Sequence, residues 1–368
     1  MTGQLVQHPG HNHADPGSIA QQGRGINGDG DHARVSVSTS GTPAPTVGAV
    51  IVALAGGVGA ARMLRGLVAV ADPEGIAAVV NTGDDTVMHG LHISPDLDTV
   101  TYTLAGVINP DTGWGLAGET WAAMGELRAY SEGRLGWFGL GDRDIGTHLY
   151  RTTRLAEGAP LSMVADEIRR RWEVPVRILP MSDQRVETRV VVVDPDGPRE
   201  VGFQEYFVGR HHDVPVRAVR FAGVESADAA PGVAEALVAA ERIVICPSNP
   251  IVSIAPVLET GRIGAIVAAR RQDTVAVSPI VAGRALKGPA DRLLADLGHE
   301  ASVAGVARLW SAYAATLVID RADEALAPAV AAAGMRPVVA PTVMSGPAEA
   351  AGLARVVLDA MADPAPAG

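Results

Sequence analysis

Four aspartates fall within fifteen residues in the segment NTGDDTVMHGLHISPDLDT at 81–99: Asp84, Asp85, Asp96 and Asp98. Crowded carboxylates repel one another, and the repulsion has to be relieved by water, hydrogen-bond donors or a cation. Hard divalent cations take oxygen ligands, and Mg²⁺ is usually held by one or two carboxylates plus substrate phosphates. The competing reading is a solvated acidic loop in which Asp84 and Asp98 cap helices beginning at TVMHG and TVTYTLAG.

A second chemical signal lies in AGGVGAAR at 55–62. Gly56, Gly57 and Gly59 let the backbone turn tightly and approach a ligand at a helix N-terminus, where free N–H groups favour anions. This is not a complete dinucleotide fingerprint, because Arg62 stands at the third glycine position and no acidic residue takes the ribose-binding place. Nor is it a P-loop. A tight turn without any ligand remains open. A third cluster, GLGDRDIGTHL at 139–149, holds Asp142, Arg143, Asp144 and His148. Either Arg143 clamps a phosphate that the aspartates orient, or the triplet and His148 satisfy one another at the surface. Finally, the chain has one lysine, Lys287, in the glycine-containing stretch SPIVAGRALKGP. A coding bias toward arginine explains its rarity but not its position.

These residues need elements to hold them. VGAVIVALAGGVGAARMLRGLVAV has the order of a buried strand, a glycine turn and a helix, and GIAAVVNTGDD is a second buried strand ending in turn residues. Further strands are expected at RIVICPSNP, TVAVSPIVAG, ATLVIDRAD and MRPVVAPTVM, with a hairpin at ETRVVVVDPDG and a last helix at AEAAGLARVVLDAMA. Strands alternating with helices predict an α/β fold, a Rossmann-like and mostly parallel sheet flanked by helices. A helical and hairpin lid insertion is expected at about 100–210, within a single α/β domain at 47–364. Ligands of such sheets bind beyond the carboxyl ends of the strands. Residues 1–46, rich in Gly, Pro, Ser, Asn and His, predict a disordered tail.

The net charge of −11 argues against a duplex nucleic-acid binder. One cysteine, Cys246, excludes an intrachain disulfide and fits a reducing compartment. No apolar run reaches membrane-spanning length, so a cytoplasmic protein without membrane partners is expected.

The motifs LAGGVGAARML, NTGDD, SPDLDTVTYTLAG, GWG, LGDRD, THL, LPMSD, FQEYFV, CPSNPIVSI and VSPIVAGRALKGP occur in an order that resembles the 2-phospho-L-lactate and phosphoenolpyruvate transferases of coenzyme F-420 biosynthesis. The resemblance covers about 50–360. It implies transfer of a phospho-acid group from a guanosine-diphospho-linked three-carbon acid to the ribityl hydroxyl of the deazaflavin Fo, with release of GMP. It also implies a Mg²⁺ requirement and a homodimer. On this resemblance Asp84 and Asp96 would hold the metal, and Asp85 or Asp98 would accept the hydroxyl proton. Gly56, Gly57 and Gly59 would take donor phosphate oxygens. Ser248 and Asn249 suit nucleotide recognition, Ser278, Lys287 and Gly288 would meet guanine or phosphate, and Trp114 would stack on the deazaflavin or fill the lid. Leu116 and Ala117 are neutral where charged or polar residues are common in the family. The alternatives are a non-catalytic nucleotide-sugar binder of the gluconeogenesis-factor type and, more distantly, a nicotinamide-dependent dehydrogenase.

Overall fold

The run IVALA forms β1 (Ile51–Ala55), and all five of its residues are buried. A strand apolar on both faces belongs inside a parallel sheet covered by helices. The computed structural model describes residues 51–133 and 135–360, so the tail expected at 1–46 lies outside the described residues.

The strands that follow are β2 (Ile76–Val80), β3 (Thr86–Met88), β4 (Leu91–Ile93), β5 (Arg177–Pro180), β6 (Glu187–Asp194), β7 (Gly197–Gly202) and β8 (Val216–Ala222). Then come β9 (Arg242–Ile245), β10 (Thr274–Val277), β11 (Ile280–Val281), β12 (Arg284–Ala285), β13 (Thr316–Ile319) and β14 (Arg336–Val339). Seven of them make one parallel sheet in the order β14-β13-β10-β9-β1-β2-β5. From β1 the chain builds outward through β2 to β5, then returns to the other side of β1 at β9. That reversal is a topological switch point, where loops leaving neighbouring strands diverge and open a crevice.

Helices α1 (Gly57–Val68), α2 (Pro95–Leu104), α3 (Ala122–Tyr130), α4 (Asp142–Ala156), α5 (Leu161–Arg171) and α6 (Val233–Ala239) are followed by α7 (Ala255–Glu259) and α8 (Ile263–Ala269). The last four are α9 (Ala290–Asp296), α10 (Val303–Trp310), α11 (Ala327–Ala332) and α12 (Pro347–Asp359). Met63, Leu64, Leu67, Leu97, Val100, Leu353 and Val357, from α1, α2 and α12, bury one face of the sheet against Ala53 and Val80. Leu237, Val267, Val306 and Trp310 cover the other face against Val52, Leu54 and Ile245. The α/β expectation therefore holds.

The lid boundary does not. The stretch 100–210 is not one insertion, because β5 from its middle is an edge strand of the main sheet, paired with β2. Its residues alternate half-buried and buried, as a covered edge does, so RILP lacks the continuous apolar run that marks the central strands. Trp172 also belongs to the body of the protein, packed edge-on against Tyr102 of α2. What stands outside the sheet is α3 and α4 with their loops, and the antiparallel sheet β7-β6-β8. The segment TVMHG, where a capped helix was one reading, is instead a β3–β4 hairpin turned at His89 and Gly90, both with positive φ. Two successive left-handed residues are what a two-residue hairpin turn requires. Among the described residues no single helix is long and apolar enough to cross a membrane.

Close packing of α1 on α12 depends on Gly66, where an added Cβ would stand 2.2 Å from the Ala350 carbonyl oxygen. In a free helix Gly→Ala gains about 1 kcal/mol. Here the clash outweighs that gain, and Gly66→Ala is expected to destabilise the protein by about 1–3 kcal/mol in urea unfolding. A stabilised variant would contradict the close approach.

Candidate active site

The loops leaving β1, β2, β9, β10 and β14 converge on a cleft of about 430 Å³. Gly56, Gly57, Gly59, Asp84, Asp96, Asp98, Trp114, Ser248, Asn249, Ser278, Lys287 and Gly288 all line it, although they come from widely separated segments of the chain. Asp85, Asp142 and Arg143 are not among its lining residues.

The glycine turn brings β1 against the β9 loop. Gly57 has φ +70°, and a Cβ at Gly59 would stand 2.2 Å from the Pro247 carbonyl oxygen, so neither position admits a side chain without a shift. The α1 N-terminus already faces a carboxylate, because Asp96 lies beside the Gly57 N–H. Part of the anion-attracting end of α1 thus holds a side chain of α2.

The four aspartates are compensated unequally. Asn81, fully buried at the end of β2, donates its amide to Asp96 (2.9 Å) and accepts the Gly83 N–H (2.8 Å). Burial still raises the Asp96 carboxyl to about 6, against the lowering effect of Asn81 and the Gly57 N–H. Burial, then the Asp96 charge, push Asp84 well above the usual carboxylate range, and its Oδ1 is buried without a hydrogen-bond partner. Asp85 turns away from the cleft to line a neighbouring cavity of about 340 Å³. There it accepts the Ser94 hydroxyl (2.6 Å), and burial raises it to about 8 despite that bond and the charge of Arg151. Asp98 alone is fully paired, with both carboxylate oxygens taken by the guanidinium of Arg151. It is not a helix cap, since α2 begins at Pro95.

Two of the expected roles are therefore corrected. Neither Asp85 nor Asp98 presents a free oxygen to the cleft as a proton acceptor. Asp142 and Arg143 form no phosphate clamp. The Asp142 carboxylate accepts from the Ala122 and Ala123 N–H groups (3.0 Å each), capping α3, and Arg143 donates to the Ala117 carbonyl (2.8 Å). Their neighbours Asp144 and His148 line the cleft instead. Asn249 spends its side-chain oxygen on the Ile251 N–H (2.9 Å), and Ser278 bonds locally to Ile280. Ser248 keeps a buried hydroxyl with no partner. Lys287 donates to the Thr112 carbonyl (3.0 Å), joining the β12–α9 loop to the loop that carries Trp114.

Several residues of the site carry no separate signal in the sequence. Arg151 lies behind the cleft wall, paired with Asp98, and Tyr102, which lines the cleft, donates to Asp144 (2.7 Å). Gln204 donates to the Asp84 backbone carbonyl (3.2 Å), and Phe203 and Phe207 stack with ring centroids 5.5 Å apart. The motif FQEYFV contains all three, so their place could have been found from it.

Asp84 and Asp96 suit a hard cation: both are carboxylates, both are buried, and their charges are largely uncompensated. Among the described residues no group of three or more His, Cys, Asp or Glu side chains forms a ligand set. Two carboxylates would leave the remaining positions to substrate oxygens and water, the common arrangement for Mg²⁺.

A family model for the 2-phospho-L-lactate transferase CofD matches residues 51–343. The chain belongs to this family. Phosphoenolpyruvate transferases from Kitasatospora aureofaciens (45% identical over 313 residues, 84% of this chain and 96% of that one) and Mycolicibacterium smegmatis (41% over 325 residues, 84% and 98%) are similar along nearly their whole length. The CofD-family chain is thus a transferase. Two crystal structures of a UPF0052-family protein from Bacillus halodurans share its fold, with TM-scores of 0.52 and 0.55 at 16% and 15% identity, each covering 84% of this chain and 98% of that one.

Raised carboxylate pKa values make the folded, metal-free protein bind more protons than the unfolded chain. Stability from Asp96 and Asp85 is therefore present below about pH 4 and is lost as pH rises through about 6 and about 8. In EDTA, Asp85→Asn is expected to remove the upper part of this loss, so the variant's Tm gains on the wild type between pH 6 and 8. A Tm difference independent of pH would contradict the raised value.

Proposed function

We propose that this chain transfers a phospho-acid group, 2-phospholactyl or enolpyruvyl phosphate, from a guanosine-diphospho-linked donor to the ribityl hydroxyl of Fo, releasing GMP in coenzyme F-420 biosynthesis. The hydroxyl oxygen bonds to the phosphorus that bears the acid, the bond from that phosphorus to the GMP oxygen breaks, and the hydroxyl proton leaves to water. The observation that carries this reading is the pair Asp84 and Asp96, buried and under-compensated beside a glycine turn at the sheet's switch point. Enolpyruvate is the favoured acid, because the similar relatives carry that name.

Attack of an alcohol on a diphosphate asks mainly for positioning and charge neutralisation. Mg²⁺, held by Asp84 and Asp96, would supply neutralisation of the diphosphate oxygens when bound. The N–H groups of the α1 turn not facing Asp96 receive donor phosphate oxygens. Ser248 offers its free hydroxyl to the nucleotide, and Lys287 can donate to an anion while still bonded to Thr112. Phe138, Phe203 and Phe207, with the half-exposed Trp114, give the cleft an aromatic wall for a flat deazaflavin. A loose phosphoryl-transfer transition state needs little help from a base, which fits Asp98 being paired with Arg151 and Asp85 facing the neighbouring cavity. A cytoplasmic homodimer completes the proposal, and light scattering tests the dimer.

Incubation with Fo, Mg²⁺ and a guanosine-diphospho-enolpyruvate or -lactate donor is expected to release GMP, measured chromatographically. Asp84→Ala and Asp96→Ala each should lower turnover more than ~100-fold, the scale of several kcal/mol of charge stabilisation. No GMP, together with tight binding of a nucleotide sugar, would turn the assignment to a non-catalytic binder. Lys287→Met is expected to raise the donor KM several-fold with kcat little changed. An unchanged KM would limit Lys287 to joining the two loops.

A further inference from the structure

We propose that Arg151 is a positioning residue that withholds Asp98 from the cation, so that Asp84 and Asp96 alone hold it. This assignment rests on the metal reading above. Asp84, Asp96 and Asp98 all line the same cleft. Three carboxylates on one divalent ion would over-neutralise its charge and leave fewer of its six positions to substrate oxygens. A negative diphosphate would then be drawn less strongly to the ion.

The structure prevents this by occupying both oxygens of Asp98. Nη1 of Arg151 donates to Oδ2 at 3.1 Å, and Nη2 donates to Oδ1. A planar guanidinium fork matches a carboxylate in this bidentate way, and a lysine would not. The fork is itself pinned. Nη1 also lies 3.1 Å from Nδ1 of His148 and 3.4 Å from the His92 carbonyl oxygen. Guanidinium has only donors, so Nδ1 presents its lone pair and the ring's proton sits on Nε2. That nitrogen faces Asp144 Oδ2 at 3.5 Å, and the other Asp144 oxygen accepts the Tyr102 hydroxyl. Arg151 is only 2% exposed, so water cannot replace Asp98 if the pair opens. Asp98 is therefore committed to α4, whereas Asp96, two residues earlier on α2, meets only the Asn81 amide and the Gly57 N–H.

A simpler role for the pair would be to tie α4 to α2. The two roles differ in what they predict for metal affinity without substrate or turnover. The test is titration of Mn²⁺ by electron paramagnetic resonance on the full chain, with circular dichroism confirming that each variant is folded. Wild type is expected to bind Mn²⁺, and Asp96→Asn should bind it at least ~10-fold more weakly. Arg151→Met frees Asp98 and is expected to tighten Mn²⁺ by roughly 10-fold, an effect that a purely structural tie would not produce. The double variant Asp98→Asn with Arg151→Met removes both charges and replaces a buried ion pair with neutral groups, a change folds commonly tolerate. It should bind Mn²⁺ within about 3-fold of wild type. If the double variant loses as much affinity as Asp96→Asn, Asp98 is a ligand and the proposal falls. It also falls if folded Arg151→Met binds no tighter than wild type. Should Arg151→Met fail to fold, the double variant decides alone. Wild type that binds no Mn²⁺ would overturn the metal reading itself.

Discussion

The site depends on the repulsion among four carboxylates gathered where the chain leaves β2 and enters α2. In water four such charges would cost little. At a strand exit walled by Asn81, Ile93, Phe203 and Val252, each must find a donor, a counter-charge or a proton. The surroundings answer each differently. Asp98 receives a whole guanidinium, Asp85 a hydroxyl, Asp96 an amide and a backbone N–H. Asp84 and Asp85 each keep one buried oxygen with no donor at all. This uneven compensation separates Asp98, which fastens two helices together, from Asp84 and Asp96, whose burial leaves their charge poorly neutralised. Strongly perturbed carboxylates in a cleft mark functional sites more often than accidents of packing.

The fold supplies the crowding by its strand order. Because the chain builds the sheet outward on one side of β1 and then on the other, the loops after β1 and β9 separate at their carboxyl ends. Polar residues from distant segments are delivered into that opening. Two glycine contacts hold its base: Gly59 against the Pro247 carbonyl, and Gly57 in a left-handed conformation that aims its N–H toward Asp96. The side chains of α2 then complete the floor. Proline at the first position of that helix starts it abruptly after β4, which places Asp96 and Asp98 in its first turns, where the helix dipole favours negative charge.

Most of this frame was legible in the sequence, because IVALA, IAAVV, RIVI, TVAV and TLVI are continuous apolar runs that only a doubly covered strand explains. The crowded aspartates and the glycine turn were legible too, since their chemistry is local. What stayed hidden depends on tertiary pairing. Arg151 stands 53 residues from Asp98, and nothing in YRTTRL distinguishes it from the exposed arginines around it. Asp142 and Arg143 misled for the opposite reason. An acidic-basic triplet at a helix start looks like a phosphate clamp, yet Asp142 caps α3, while Glu119 takes the free N–H groups of Arg143 and Asp144 at the start of α4. Strand β5 was missed because an edge strand between prolines has little apolar run to show.

The seam between α2 and α4 joins the two halves of the site energetically. Tyr102 and Asp98 lie one turn apart on α2, and Asp144, His148 and Arg151 follow helical spacing on α4, so five polar groups meet along one line. Such a network is stable only when every member is satisfied. Moving α4 by the length of a hydrogen bond would strand a buried guanidinium and release a carboxylate into the cleft, changing the charge within it. The coupling is reciprocal: whatever neutralises the cluster must also change how firmly α4 is held. The position of the helices above the cleft and the electrostatics within it are therefore set by the same ion pair.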